Sequence, residues 1–280
     1  MMEPENSSRG LTILVCVKFT VDVNQLQADP ATAQPNLARA VYRISNFDEN
    51  AIEEAVRLKE KHGGQVIGIS LAERSPPRDV ALKALAMGVD SLFVVKDARA
   101  ARGGPGVTAT VLAALVERLV ASHDLGGWDL ILCGDGSADE YNGQVGVRIA
   151  EALGVPSVTY VTRLEVAGGS LRADRAGERA TETVEASLPA VVTVGMETNQ
   201  PRMPTVLQIM GAGRKPIVEL SLAELGRPGL LDLVASQAVE TDDVYAPPTV
   251  RKRLVLEGET VEETVQLLLR HLGEAGEVRF

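Results

Sequence analysis

Asp129-Leu130-Ile131-Leu132-Cys133 runs without a break into Gly134-Asp135-Gly136-Ser137-Ala138-Asp139-Glu140-Tyr141-Asn142-Gly143-Gln144-Val145-Gly146. An apolar run of strand length breaks into glycines, and a helical pattern follows over residues 147–153. A turn of this kind leaves backbone N–H groups facing open space, and the helix start adds a partial positive charge. The combination suits a phosphate, so the stretch reads as a nucleotide site at the end of a buried strand. Asp139 and Asn142 add polar groups able to bond a ribose or to cap the helix. The competing reading is a tight turn with no ligand. No Gly-Lys-Ser/Thr follows, so this is not a P-loop. It is not Gly-x-Gly-x-x-Gly in the first strand-to-helix turn either, which disfavours a dinucleotide-binding dehydrogenase.

Outward from this loop, strands and helices alternate at short spacing. Residues 11–17, 65–71, 91–95, 129–133 and 157–161 read as strands. A helix is expected over residues 49–62, with Ile52, Ala55, Val56 and Leu58 on one face. Asp48 serves as its N-cap and Gly63-Gly64 as its stop. Two further helices are expected, one from Pro76-Pro77 to Gly88 and one over 106–122. Alternation of this sort implies a parallel sheet with right-handed crossovers, whose ligands bind beyond the carboxyl ends of the strands. Lys18, the residues after Leu71 and the glycine loop all fall at such ends. Gly103-Gly104-Pro105-Gly106, before Val107-Thr108-Ala109-Thr110, offers a second helix start with N–H and hydroxyl donors; a flexible loop is the plainer reading. The expected fold class is a doubly wound parallel α/β sheet of the adenine nucleotide alpha hydrolase-like kind, with an edge hairpin and a C-terminal arm.

Composition bounds the function. The 280 residues allow one large domain or two modest ones. Aromatics are only 3%, so the core must be built from Val, Leu, Ile and Ala, a mix suited to a buried parallel sheet. The formal net charge of −10 argues against general binding to nucleic acid or anionic membrane. Cys16 and Cys133 each sit inside an apolar run and read as reduced core thiols. His62, His123 and His271 lie far apart, so no metal-ligand spacing appears. No signal peptide or membrane span is visible, and a cytoplasmic location without membrane insertion is expected. No Ser/His/Asp or Cys/His set is in place, and no catalytic residue is assigned.

After residue 161 the texture changes. Residues 163–173 and 180–187 alternate apolar and polar around Gly168-Gly169, suggesting an antiparallel edge addition, and 189–194 reads as another strand. Prolines and glycines bracket a short apolar run between Pro201 and Pro216 that is too interrupted for a good strand. If exposed, Met203, Val206, Leu207, Ile209 and Met210 form an apolar patch beside basic residues, of the sort that docks partners; a buried irregular segment is the alternative. The tail from Leu222 is punctuated and ends in a helical pattern over 260–272, which suggests an arm. The expected organisation is a disordered N-terminus at 1–10, a nucleotide-binding domain at 11–221 with a docking loop at 196–215, and an arm at 222–280.

Several segments together resemble the β subunit of an electron transfer flavoprotein. They are residues 13–18, Ser45 to Glu60, Ala84 to Asp90, Asp139 to Gly146, Leu188 to Thr193, and Asn199-Gln200-Pro201-Arg202 through Lys215. The resemblance implies a heterodimer whose α subunit holds the redox-active FAD. The β subunit would bind AMP, or a second FAD in bifurcating members, which would then oxidise NADH there. By similarity the nucleotide touches Cys16, Ser45, Asn46, Phe47, Asp48, Leu71 and the loop comprising Gly134, Asp135, Gly136, Ser137, Ala138, Asp139, Asn142, Gly143 and Gln144. Thr108 and Thr110 mark the helix start that differs in bifurcating members; Ala109-Thr110 fits half of their pattern, and AMP is preferred.

The resemblance further implies that Arg202, Met203, Val206, Leu207, Ile209 and Met210 dock flavin dehydrogenases and a quinone-reducing acceptor, with Val206 where the family has an anchoring leucine. The arm would wrap the α subunit. This sequence departs from the family in four places: Ser45-Asn46-Phe47 replaces Asn-Pro-Phe, Tyr141-Asn142 alters the loop tip, Val206 is shorter than the anchoring leucine, and Ala176 stands where an acidic residue is usual. An ATP-using enzyme of the same fold is disfavoured because Val17-Lys18-Phe19-Thr20 replaces a pyrophosphate loop. A stress-protein-like nucleotide module would not need the hairpin, docking segment and arm.

Overall fold

The computed structural model describes residues 10–122, 125–239, 241–246, 253–276 and 278. The expected disordered N-terminus (save Gly10), His123 and Pro247-Pro248 lie outside the described residues. In chain order the elements are β1 (Leu11–Cys16), β2 (Phe19–Val21), β3 (Tyr42–Ile44), α1 (Asn46–His62), β4 (Gly64–Ala72), α2 (Arg78–Met87) and β5 (Ser91–Lys96). There follow α3 (Ala98–Ala101), α4 (Gly104–Ala121), β6 (Leu130–Gly134), α5 (Val145–Leu153), β7 (Ser157–Ala167), β8 (Ser170–Ala176), β9 (Thr181–Ser187) and β10 (Ala190–Val194). The last are α6 (Val206–Ala212), β11 (Ile217–Ser221), α7 (Leu230–Gln237) and α8 (Val261–Glu274).

The main sheet has nine strands in the order β11-β5-β4-β1-β6-β10-β7-β8-β9, and β2 pairs with β3 in a separate antiparallel ribbon. From β11 to β7 the pairings are parallel; β8 and β9 add antiparallel strands at one edge. This is the doubly wound α/β fold with an edge hairpin that the alternation of elements predicts. The chain steps outward from β1 through β4 to β5, then returns to lay β6 on the other side of β1, so the topology switches direction at β1.

Period-two alternation explains the layers. Ile13 and Val15 of β1, Leu130 and Leu132 of β6, and Ala190 and Val192 of β10 pack on one side with α1 and α2. Leu14, Ile131 and Val191 face the other way, against Val111 and Leu115 of α4 and Ile149 of α5. Both faces are covered, so the strands read as continuous apolar runs. Gly104–Ala121 is long and apolar enough to cross a membrane, yet here it is a largely buried core helix.

The structure corrects several local expectations. Ser45, not Asp48, precedes the first helix, and the helix begins at Asn46. Helix α4 starts at Gly104 rather than Gly106, and the short α3 before it was not expected; Asp97 caps α3 by accepting the N–H groups of Arg99 and Ala100. The expected strand at 157–161 continues as one strand to Ala167 through an irregularity between Val161 and Arg163. The stretch between Pro201 and Pro216 holds a helix, α6, with a reciprocal capping box between Thr205 and Gln208, and a strand, β11, follows it. Here a cap residue and a tertiary strand partner outweigh the flanking prolines and glycines.

The chain divides into two compact units, residues 1–27 with 35–244 and residues 28–34 with 245–280. The first unit thus runs on past residue 222, where an arm was expected to begin. Leu222, Leu225, Leu230 and Val234 are buried in the first unit, because they supply apolar cover for α4 and the adjoining sheet face. In the second unit the Ala246 N–H bonds the Ala33 carbonyl, and Thr260 caps α8 through the Glu263 N–H. Val261, Val265 and Leu268 of α8 are exposed.

Candidate functional site

Where β1, β4 and β6 end, their carboxyl ends open into a cleft. It lies at the switch point, where open α/β sheets bind ligands. The floor is Cys16 and Val17 from β1 and its exit, Ile69, Ser70 and Leu71 from β4, and Cys133 and Gly134 from β6. Gly104, Pro105 and Thr108 bring in the start of α4, and Gln144 and Val145 the start of α5. Two helix N-termini of useful length thus border one space, and each favours negative charge.

The loop after β6 forms the third wall with Asp135, Gly136, Ser137, Glu140, Asn142 and Gly143. Three tethers hold it. The Ala138 N–H donates to Ser45 Oγ at 3.3 Å, which explains why Ser45 does not cap α1 with its side chain. The Tyr141 ring lies 5.3 Å from that of Phe47. Lys18 Nζ donates to Asp139 at 2.8 Å and to Ser137 Oγ at 3.3 Å, with Glu140 3.4 Å away. Tyr141 and Gly143 adopt φ of 49° and 66°, which turns the chain back toward α5. Among the described residues no partner takes up the backbone N–H of Gly136, Asn142, Gly143 or Gln144.

Asp48 sits in the first turn of α1 and is 5% exposed. Its carboxylate receives the Lys18 N–H at 2.7 Å and the Gly134 N–H at 3.3 Å, joining the ends of β1 and β6. Burial pushes its pKa up to about 7 against the pull of those two hydrogen bonds. Asp135 is also raised by burial; it bonds Thr193 Oγ1 and the Tyr160 N–H. For Asp139 burial works upward too, but the Lys18 ammonium and hydrogen bonds from Lys18, Ser137 and Thr20 bring it down to about 2. The two carboxyls deepest in the cleft are thus driven toward their neutral forms, which lessens their repulsion of an anion. Cys16 and Cys133 stand with Sγ atoms 3.2 Å apart, and their mutual hydrogen bond and burial raise the Cys16 thiol well above its usual range.

Of the residues expected to hold a nucleotide, the cleft gathers Cys16, Asp48, Leu71, Thr108, Gly134, Asp135, Gly136, Ser137, Asn142, Gly143 and Gln144. Ser45, Asn46, Phe47, Ala138 and Asp139 are not among its lining; Ser45, Phe47 and Asp139 hold the loop from behind. Thr110 does not reach it: its hydroxyl donates to Gln237 at 2.8 Å. That contact comes from α7, which the local sequence did not reveal. Sequence reasoning also missed Ser70, which lines the cleft at 1% exposure with an unpartnered hydroxyl, and Glu140 at the mouth. A serine inside an apolar strand was the available signal. Asn46 Oδ1 is likewise buried without a partner.

On another part of the first unit, α6 and its approach present Met203, Val206, Leu207, Ile209 and Met210 to solvent; Met203 is 91% and Leu207 80% exposed. The exposed reading of this segment holds. Arg202 is turned inward instead, onto Glu53 and Glu60 of α1.

Fold and cleft define a doubly wound α/β protein with a cleft at its switch point, bordered by two helix N-termini. Residues 36–225 match the electron transfer flavoprotein domain. That is more than half of the 280 residues, and the chain belongs to the electron transfer flavoprotein family. Members bind flavin and carry electrons in concert with partner proteins.

Proposed function

We propose that this chain is the β subunit of a heterodimeric electron transfer flavoprotein, binding a structural AMP in the switch-point cleft while the α subunit holds the working FAD. The observation that carries the reading is the cleft itself. Unpartnered amides of the loop after β6 and two helix N-termini surround it, beside an apolar floor of Ile69, Leu71 and Leu112 able to take a purine. The loop amides would hold the phosphate. Ser45, Asn46, Phe47 and Asp139 would act on the nucleotide through the loop they brace or adjoin. Engagement of Thr110 with Gln237 favours AMP over a second FAD, since the hydroxyl tied to the bifurcating pattern points elsewhere.

The apolar side chains on α6 support a docking face for the flavin dehydrogenases that deliver electrons, with Val206 and Leu207 as anchors. The exposed stripe of α8 suits a contact with the α subunit. A cytoplasmic carrier without catalysis of its own fits these features. Co-expression with an electron transfer flavoprotein α subunit tests the reading. A yellow heterodimer that releases AMP on acid treatment supports it, and a homodimer or a nucleotide-hydrolysing monomer overturns it.

A further inference from the structure

Four polar side chains of α1 are buried on a helix whose remaining core face is apolar: Asp48, Asn50, Glu53 and Glu54. Asp48 serves the cleft. The other three all meet the segment that leads into α6. Asn50 Nδ2 donates to the Asn199 carbonyl at 2.6 Å and to the Met196 carbonyl at 3.3 Å. Asn199 Nδ2 returns bonds to the Asn50 carbonyl and to Glu54 Oε2, both at 3.1 Å. Arg202 gives Glu53 three bonds, from its backbone N–H at 3.1 Å, Nε at 2.8 Å and Nη2 at 3.1 Å. It also reaches Glu60, two turns further along α1, through Nη1 at 2.5 Å and Nη2 at 3.0 Å.

Glu53 is only 3% exposed, a costly place for a carboxylate unless it is paired. Burial would raise its pKa, but the Arg202 hydrogen bonds and that of Arg57 hold it below the usual range. On the far side of α6, Ala212 is fully buried and Lys215 Nζ donates to the Leu85 and Val89 carbonyls at 2.8 and 2.7 Å, at the end of α2. The seven-residue α6 lies against α2 but buries only Ala212 of its own side chains, so fixings at its two ends share with that packing in setting its direction.

We propose that Arg202 is a positioning residue for partner docking: bridging Glu53 and Glu60, it fixes the angle at which α6 offers its apolar side chains, and it does not itself touch the partner. The inference rests on the docking role given above to α6. A planar guanidinium can satisfy two carboxylates at once, whereas a lysine ammonium cannot reproduce that fork.

The test uses the flavin-loaded heterodimer and the flavin dehydrogenase that reduces it. Arg202→Lys is expected to raise the half-saturating heterodimer concentration roughly three- to tenfold, the scale of losing part of a charge-assisted pair. The maximal rate should be recovered at saturation and the flavin spectrum retained. Hydrogen exchange over residues 203–212 should quicken while that over 135–144 does not. Glu60→Gln, at a largely exposed position, should shift both readouts the same way by less, and it serves if Arg202→Lys does not fold. Unchanged half-saturation in both variants overturns the inference, as does a loss of maximal rate with exchange rising throughout the chain. Leu207→Asp separates the premise: if it leaves half-saturation unchanged, the docking role of α6 fails, whatever Arg202 does.

Discussion

Asp48 Oδ1 lies 3.3 Å from the Gly134 backbone nitrogen, so a carboxylate on the first helix receives the N–H of the residue that ends the sixth strand. The same carboxylate takes the Lys18 N–H. One side chain therefore ties together the ends of two paired strands that floor the cleft.

This arrangement makes stability depend on pH. The folded-state pKa of Asp48, about 7, lies above its ordinary 3.8, so the native state keeps a proton that the unfolded chain releases. Its contribution is fully present below about pH 4 and is lost as pH rises through about 7. Asp48→Asn should flatten the fall in melting temperature between about pH 4 and 7, at a cost of about 1 kcal/mol for the weakened acceptor. An equally steep fall in the variant would reject the assignment.

Gly134 has no room for a side chain. A Cβ there would stand 2.5 Å from Phe47 Cβ and 2.9 Å from the Phe47 carbonyl carbon, and backbone cannot step aside cheaply. Gly134→Ala should destabilise the chain by about 1–3 kcal/mol and push α1 off the loop. The expected reading is a drop in nucleotide per protein after acid release; full occupancy would show that the loop need not be seated on α1.

Lys18 anchors the loop through Asp139. Because the Asp139 pKa is depressed to about 2, its stabilising effect is present above about pH 4 and disappears as pH falls toward 2. Both partners are partly exposed, so the pair is worth at most about 1 kcal/mol. Lys18→Met should shrink that acid-limb loss, leaving only what the Ser137 and Thr20 hydrogen bonds sustain, and quicken nucleotide exchange. Identical acid titrations of the two proteins would show that the ion pair does not hold in solution.

Ser70 carries a buried hydroxyl without a partner among the described residues. Removing it should leave the nucleotide-free protein as stable as before, or more so, because no hydrogen bond is lost. If a nucleotide polar group completes that site, Ser70→Ala should weaken its binding roughly tenfold, about one good hydrogen bond. Calorimetric titration of stripped protein measures this. Lower stability with unchanged affinity would make Ser70 a framework residue.

Much of the fold was legible locally. Apolar runs such as residues 11–16 and 130–133, spaced by helical patterns, carry the parallel sheet, and the glycines after Cys133 carry the position of the cleft. The misreadings share a cause. Asp48 looks like a helix cap because Asp is a good one, but the Gly134 and Lys18 amides compete for its carboxylate. Thr110 looks like a ligand group until Gln237, 127 positions along, claims it. Residues 222–239 look like an arm because their few apolar side chains are widely spaced, yet four of them close over α4.

Periodicity and glycine placement, which act through steric limits on neighbouring residues, were sufficient for the central parallel strands, the main helices between them and the glycine loop at the rim of the cleft. Which donor meets which acceptor was decided only on folding. Arg202 finding Glu53 across 149 positions, or Ser45 leaving its own helix for the Ala138 amide, depends on how whole elements pack. A hydrogen bond reaches about 3 Å, and nothing local in a chain specifies which distant groups packing will bring that close.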